Sequence, residues 1–166
     1  MKKFVIAGVV LIFVAAIAVG AASQFTLSAL PEPGRAETLL ATKAKHYLVR
    51  RGSRDGIPPA PANRQAAIKE GDRLFGTECA ACHGLSGHSP TDAGRWMYPR
   101  AADLTSHDTQ SYSDQELFWI IKNGIRLSGM PAFGKVESDE HTWDLVLYVR
   151  MLPTAPQQST QQVERE

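Results

Sequence analysis

The stretch ECAACHG, Glu78 to Gly84, decides how this chain is read. It holds the only two cysteines in 166 residues, with a histidine directly after the second. Two thiols and an imidazole at that spacing have several uses in chemistry. The surrounding sequence has to choose among them.

The flanking segments read as helices. AAIKEGDRLFGTEC, which leads into the cysteines, places Ile68, Gly71, Leu74 and Phe75 at helical spacing, with Asn63 as N-cap. SDQELFWIIKNG opens on a capping box of Ser113 and Glu116 and closes at Gly124. SDEHTWDLVLYVRML has Ser138 as N-cap and the acids Asp139 and Glu140 in its first turn. Trp143, Val146, Leu147 and Arg150 form its stripe, and Pro153 stops it. No segment sustains the period-two alternation of a strand. Residues 65–153 therefore form an all-α head, with long loops over 84–112 and 125–137. So small a head buries little core, and small domains commonly recruit a disulfide, metal or cofactor.

Further out, the composition changes. Lys2 and Lys3 precede nineteen residues, Phe4 to Ala22, that lack charged or strongly polar groups. That length spans a bilayer as a helix, and the two lysines keep the N-terminus in the cytoplasm. Residues 1–22 are read as a single-pass anchor of the cytoplasmic membrane, longer than the apolar core of a cleaved signal. Gly20-Ala21-Ala22 keeps the signal-peptide alternative open. Either way the rest is exported to the periplasm or an equivalent space, where thiols tend to be oxidised or committed.

Residues 23–64 read as a basic, Pro-rich periplasmic stalk. AETLLATKAKHYLVRRGSR could form an amphipathic helix with Leu39, Leu40, Ala44, Tyr47 and Leu48 on one side, and DGIPPAPANR is an extended spacer. The stalk carries seven Lys/Arg against three Asp/Glu, the head eight against twelve. The basic stalk is a solvated linker or a dock for anionic lipid or an acidic partner. Residues 154–166 read as a disordered polar tail. A formal net charge of +1 argues against a nucleic-acid partner.

Three uses compete for Cys79, Cys82 and His83. A redox dithiol of the thioredoxin kind sits in a βαβ context, which is missing from this sequence. Zinc wants four ligands, and no second pair follows. C-x-x-C-H is also the signature of covalent haem attachment. On a helical turn, Cys79 and Cys82 share one face and reach two vinyl groups along one edge of a porphyrin. His83 then projects over the ring toward the iron. An exported, strand-free, core-poor head is the setting this last use needs.

A six-coordinate iron needs a second axial donor. The chain offers Met97, Met130 and Met151, and His46, His88, His107 and His141. Met130 stands in LSGMPAFG, where Gly129 allows close backbone approach, Pro131 keeps the chain extended and Phe133 can pack beside the ring. A thioether raises the reduction potential relative to a second imidazole. Arg100 and Arg126 are candidates for partnering the haem propionates, and Trp96, Tyr98 and Trp119 for walling the pocket.

The ordered set CAACHG, YPRAADL, SDQELFWIIKNGI, SGMPAFG and WDLVLYVRML resembles a class I, monohaem c-type cytochrome of the bacterial kind, across nearly the whole head. The resemblance implies a cytochrome c fold, three to four helices around one covalently bound haem c. It implies His83 as proximal and Met130 as distal ligand, and first and last helices crossing near Gly71, with Phe75 against Tyr148. It implies Leu104 packed on the haem on the histidine side. The family often has proline where this chain has Ala102, and a carbonyl near that proline orients the ligand histidine. Pro99, three residues earlier, is a possible substitute.

The expected function is one-electron transfer between redox proteins at the membrane, not catalysis, with no small-molecule substrate. Two alternatives differ in class. One is a permanent haem subunit of a larger membrane oxidoreductase. The other is a haem sensor or peroxidase-like enzyme with a labile distal methionine.

Overall fold

A computed structural model of the chain describes residues 2–23 and 28–154. Of the expected tail, 154–166, Thr154 ends a 3-10 turn, Leu152–Thr154, and residues 155–166 lie outside the described residues. Among the described residues every regular element is helical. The chain divides after Pro31 into two units.

The first unit contains α1, Lys2–Ser23. Its stretch Lys2–Gly20, 19 residues with a mean hydropathy of 2.6, is long and apolar enough to cross a membrane.

The second unit is built on a crossing of two helices. α3, Arg64–Leu74, begins where the Asn63 side chain accepts the Ala66 N–H at 3.2 Å. It continues through a π-helical turn, Phe75–Cys79, into the short α4, Ala80–His83. α8, Asp139–Met151, begins where Ser138 Oγ accepts the His141 N–H. α3 and α8 meet at Gly71, where an added Cβ would stand 2.8 Å from Tyr148 Cβ and overlap the Asp144 carbonyl outright. Phe75 and Tyr148 pack beside the crossing with ring centroids 5.2 Å apart.

α7, Asp114–Asn123, closes the core against α8, and the capping box of Ser113 and Glu116 forms in full. Leu117, Phe118, Ile121, Trp143, Leu145, Val146 and Val149 make the buried interior between them. Arg150 ties the two helices together. It donates to Asp114 Oδ1 at 2.8 Å and to the carbonyl of Gln110 at 2.9 Å, and also bonds the Tyr112 carbonyl. The long loop after α4 holds two one-turn helices, α5 (Asp92–Arg95) and α6 (His107–Gln110), each capped by a side chain, Thr91 and Ser106.

The segment expected as a stalk differs most from its reading. α2, Arg35–Gly52, packs on α7. Val49 is 2% exposed and belongs to the core. His46 stacks on Tyr112 at 4.3 Å, and an added Cβ on Gly52 would stand 2.6 Å from the Trp119 ring. The Pro-rich stretch is held too, with Ile57 packed against the core and the Pro58 carbonyl accepting from Trp143 Nε1 at 3.0 Å. Composition suggests a spacer because its prolines are read alone. The buried partners of Ile57 and Pro58 are far away in sequence.

Candidate functional site

Cys79 ends the π-helical turn, and Cys82 and His83 occupy the single turn of α4. Local widening of a helix by a π turn is common at functional sites, because it re-aims the residues that follow. α4 stops at Gly84, whose φ of +73° suits glycine and where a Cβ would meet the Ser89 carbonyl. The chain then folds back on the motif. Thr91 N–H donates to the Cys82 carbonyl at 3.1 Å, and Thr91 Oγ1 donates to that of Ala81 at 2.6 Å. Gly94 packs so closely on the Cys82 carbonyl that no larger residue fits. The motif is therefore fixed from outside its own helix.

His83 is half-buried, and its Nδ1 lies 2.8 Å from the carbonyl oxygen of Ala102. A carbonyl can only accept, so Nδ1 carries the hydrogen. Nε2 then keeps its lone pair, as an imidazole that binds a metal must. Burial pushes the His83 pKa down, and the bond to Ala102 works against that. Ala102 sits between two anchored neighbours: Ala101 N–H donates to the Gly94 carbonyl at 2.9 Å, and Leu104 N–H to that of Gly87 at 2.7 Å. The orienting carbonyl is thus that of Ala102, where proline often stands in the resembled family, and Pro99 is not its substitute.

Both cysteines are free. Burial, with smaller contributions from Glu78 and Cys82, pushes the Cys79 thiol up to about 12. A thiol held protonated is a poor redox nucleophile. Among the described residues no three His, Cys, Asp or Glu side chains gather as a metal cluster, so zinc finds no full ligand set.

Met130 is placed by the turn after α7. Its N–H donates to Ser128 Oγ at 3.2 Å, Ser128 Oγ donates to the Ile125 carbonyl at 2.8 Å, and Ile125 N–H donates back to the Met130 carbonyl at 3.3 Å. Its side chain is half-buried against the core, as are Cys79, Leu104, Ile120, Ile125 and Phe133. These six are apolar neighbours of the core, one of them a thioether and one a thiol. The Met97 sulfur rests on Gly129, where any Cβ would overlap it. A c-type haem requires two thiols, an imidazole with one nitrogen pinned, a soft second donor and apolar walls. The residues present fit that group.

Other expected contact residues lie at the surface. Arg100 is exposed and pairs with Glu32 at 2.6 Å. Arg126, Pro99 and Trp96 are also exposed, Trp96 by 77%. The sequence reading missed Thr91 and Gly94 and left open which carbonyl orients His83, because backbone hydrogen bonds carry no side-chain signature. Met97, one of the candidate second donors, packs against Gly129, 32 residues away in the chain (97 to 129).

Comparison with known proteins bears on the same region. Residues 66–149, half of the chain, match the family described as cytochrome c oxidase, cbb3-type, subunit III. The thiosulfate dehydrogenase of Allochromatium vinosum is 29% identical over 101 residues, covering 59% of this chain and 36% of that protein. A chain of the reducing HAO-like protein complex of Kuenenia stuttgartiensis superposes with a TM-score of 0.50 at 25% identity, over 58% of this chain and 47% of that one. The chain thus spans between a third and a half of the length of these two relatives.

Proposed function

Because this chain belongs to the cytochrome c family of the cbb3-type oxidase subunit III, we propose that it is a monohaem electron carrier. In this reading Cys79 and Cys82 hold the haem as thioethers, and His83 Nε2 and Met130 Sδ are its axial ligands. The observation that carries the reading is the 2.8 Å bond from His83 Nδ1 to the Ala102 carbonyl beside the two free thiols. When bound, the haem supplies a one-electron ferric–ferrous couple. Ala102 fixes the imidazole tautomer and ring plane, so little has to reorganise between redox states. Met130, neutral and soft, favours the ferrous state. With His83 and Met130 both holding the iron, no position would be left open on it, which would favour transfer over catalysis.

Residues 1–22 are proposed as a retained anchor that places the haem domain, 65–153, outside the cytoplasm, with 32–64 packed on its flank. Tethering raises its effective concentration for redox proteins of the same membrane. Purification of the matured protein and replacement Met130→Ala test the ligand set. The variant should have a lower potential and bind carbon monoxide rapidly. Unchanged potential and ligand reactivity would remove Met130 from the iron.

A second reading has its own support. Both matched relatives extend well beyond this chain, and one is part of a named complex. That favours a permanent haem subunit of a larger oxidoreductase. Co-purification in fixed stoichiometry would select it over a mobile carrier.

A further inference from the structure

α2 has two faces, and only one is used inside the protein. Its inner face carries Val49, His46 stacked on Tyr112, Lys45 at 3.5 Å from Asp108 and Arg50 at 3.4 Å from Glu116. At about 100° per residue, Leu40, Ala44, Tyr47 and Leu48 fall on the opposite arc. Leu40, Tyr47 and Leu48 are 69%, 65% and 57% exposed. Lys43, Arg51 and Arg54 flank that arc and its C-terminal end, and none has an ion-pair partner among the described residues. An apolar stripe edged by free cations is the composition of a helix that lies in a headgroup layer.

We propose that the outer face of α2 rests on the anionic surface of the bilayer and fixes the haem unit in one orientation above it. The proposal rests on the retained anchor. Two observations favour lipid over a protein partner. First, α1 ends at Ser23 and α2 begins at Arg35, so 11 residues join them (24 to 34). At about 3.5 Å per residue the link spans at most about 40 Å, which keeps the start of α2 within that reach of the membrane. Second, its cations match acidic headgroups, which attract basic segments close to the surface. Leu40 and Leu48 enter the acyl boundary, Tyr47 sits at the interface, and Lys43 and Arg51 meet phosphates.

The test uses the full-length matured protein in nanodiscs of phosphatidylcholine alone, or mixed with phosphatidylglycerol. Single variants Leu40→Cys, Leu48→Cys, Leu127→Cys and Ile12→Cys are labelled with a charged, membrane-impermeant maleimide, and labelled peptides are mapped by mass. Leu127 is 89% exposed and serves as the water reference. Ile12 reports the anchor. The expected result is at least a tenfold slower reaction at 40 and 48 than at 127 in anionic nanodiscs. The slowing is lost when Lys43→Glu and Arg51→Glu are added. If 40 and 48 react as fast as 127 while 12 stays unreactive, the surface proposal fails and the anchor stands. That outcome would leave the stripe to a protein partner. If 12 is cleaved away or reacts freely, the anchor reading fails and takes this proposal with it.

Discussion

His83 and Ala102, nineteen residues apart, are joined by a 2.8 Å hydrogen bond from a ring nitrogen to a backbone carbonyl. Because the acceptor is backbone, the side chain at 102 can change while the function of the position stays. Ala102→Pro should keep the bond, since no hydrogen bond from the Ala102 N–H is present among the described residues, and proline, which fixes its own φ and restricts the residue before it, leaves the carbonyl in place. The absorption spectrum and reduction potential of the variant should match the parent. A shifted potential would mean that the loop geometry, not the carbonyl alone, sets the imidazole.

Replacing Gly71 should damage the fold more than any helix-propensity gain can offset. Ala gains about 1 kcal/mol over Gly in a helix interior. At this crossing its Cβ would overlap the Asp144 carbonyl, which no side-chain rotation can clear. Overpacking against fixed backbone costs about 3 kcal/mol. Gly71→Ala should therefore lower the midpoint of urea unfolding. An unchanged midpoint would show that α3 and α8 slide apart freely.

The place of α2 in the folded unit is testable by itself. Val49→Ala removes two methyl groups from the core cluster, which costs roughly 2 kcal/mol and lowers Tm by roughly 5–10 °C. Leu40→Ala, on the exposed arc, should leave Tm in detergent unchanged. Equal and negligible effects at both positions would describe a detached stalk.

Asp144 is 5% exposed, and burial raises its pKa, aided by Glu140 and Glu70 and opposed by His141. The folded state therefore binds this proton more tightly than the unfolded chain does. Folding stability contributed by this group is lost as pH rises through the carboxylate range and is restored in acid. Asp144→Asn should be more stable than the parent at neutral pH. The difference should shrink as pH falls below the ordinary aspartate value of about 4. Urea titrations of both proteins at neutral and acid pH measure it.

Local signals were legible in the sequence, and long-range ones only in part. The caps at Asn63, Ser113 and Ser138 form where the sequence places them, because a cap needs only three neighbouring residues. The helix crossing at Gly71 and the Phe75–Tyr148 contact followed from the family resemblance rather than from spacing. α2 was readable as a helix, but its packed face was not. Leu40 and Leu48 point outward, while Val49 and the polar His46 and Lys45 face the core unit. A hydrophobic stripe normally marks the buried side of a helix, so pattern alone misassigns it. Arg100 is a parallel case, since its partner Glu32 is 68 residues away and lies in a segment read as linker.

The central claim is that Cys79, Cys82, His83 and Met130 hold one low-spin haem c. The most direct measurement is the visible spectrum of the matured, purified protein in both redox states, repeated after denaturation and on Met130→Ala. The account predicts a c-type reduced spectrum, haem that stays on the chain when it unfolds, and a weak far-red ferric band that vanishes in the variant. Haem released on unfolding would contradict attachment at Cys79 and Cys82. A far-red band that persists in Met130→Ala would hand the distal position to another sulfur.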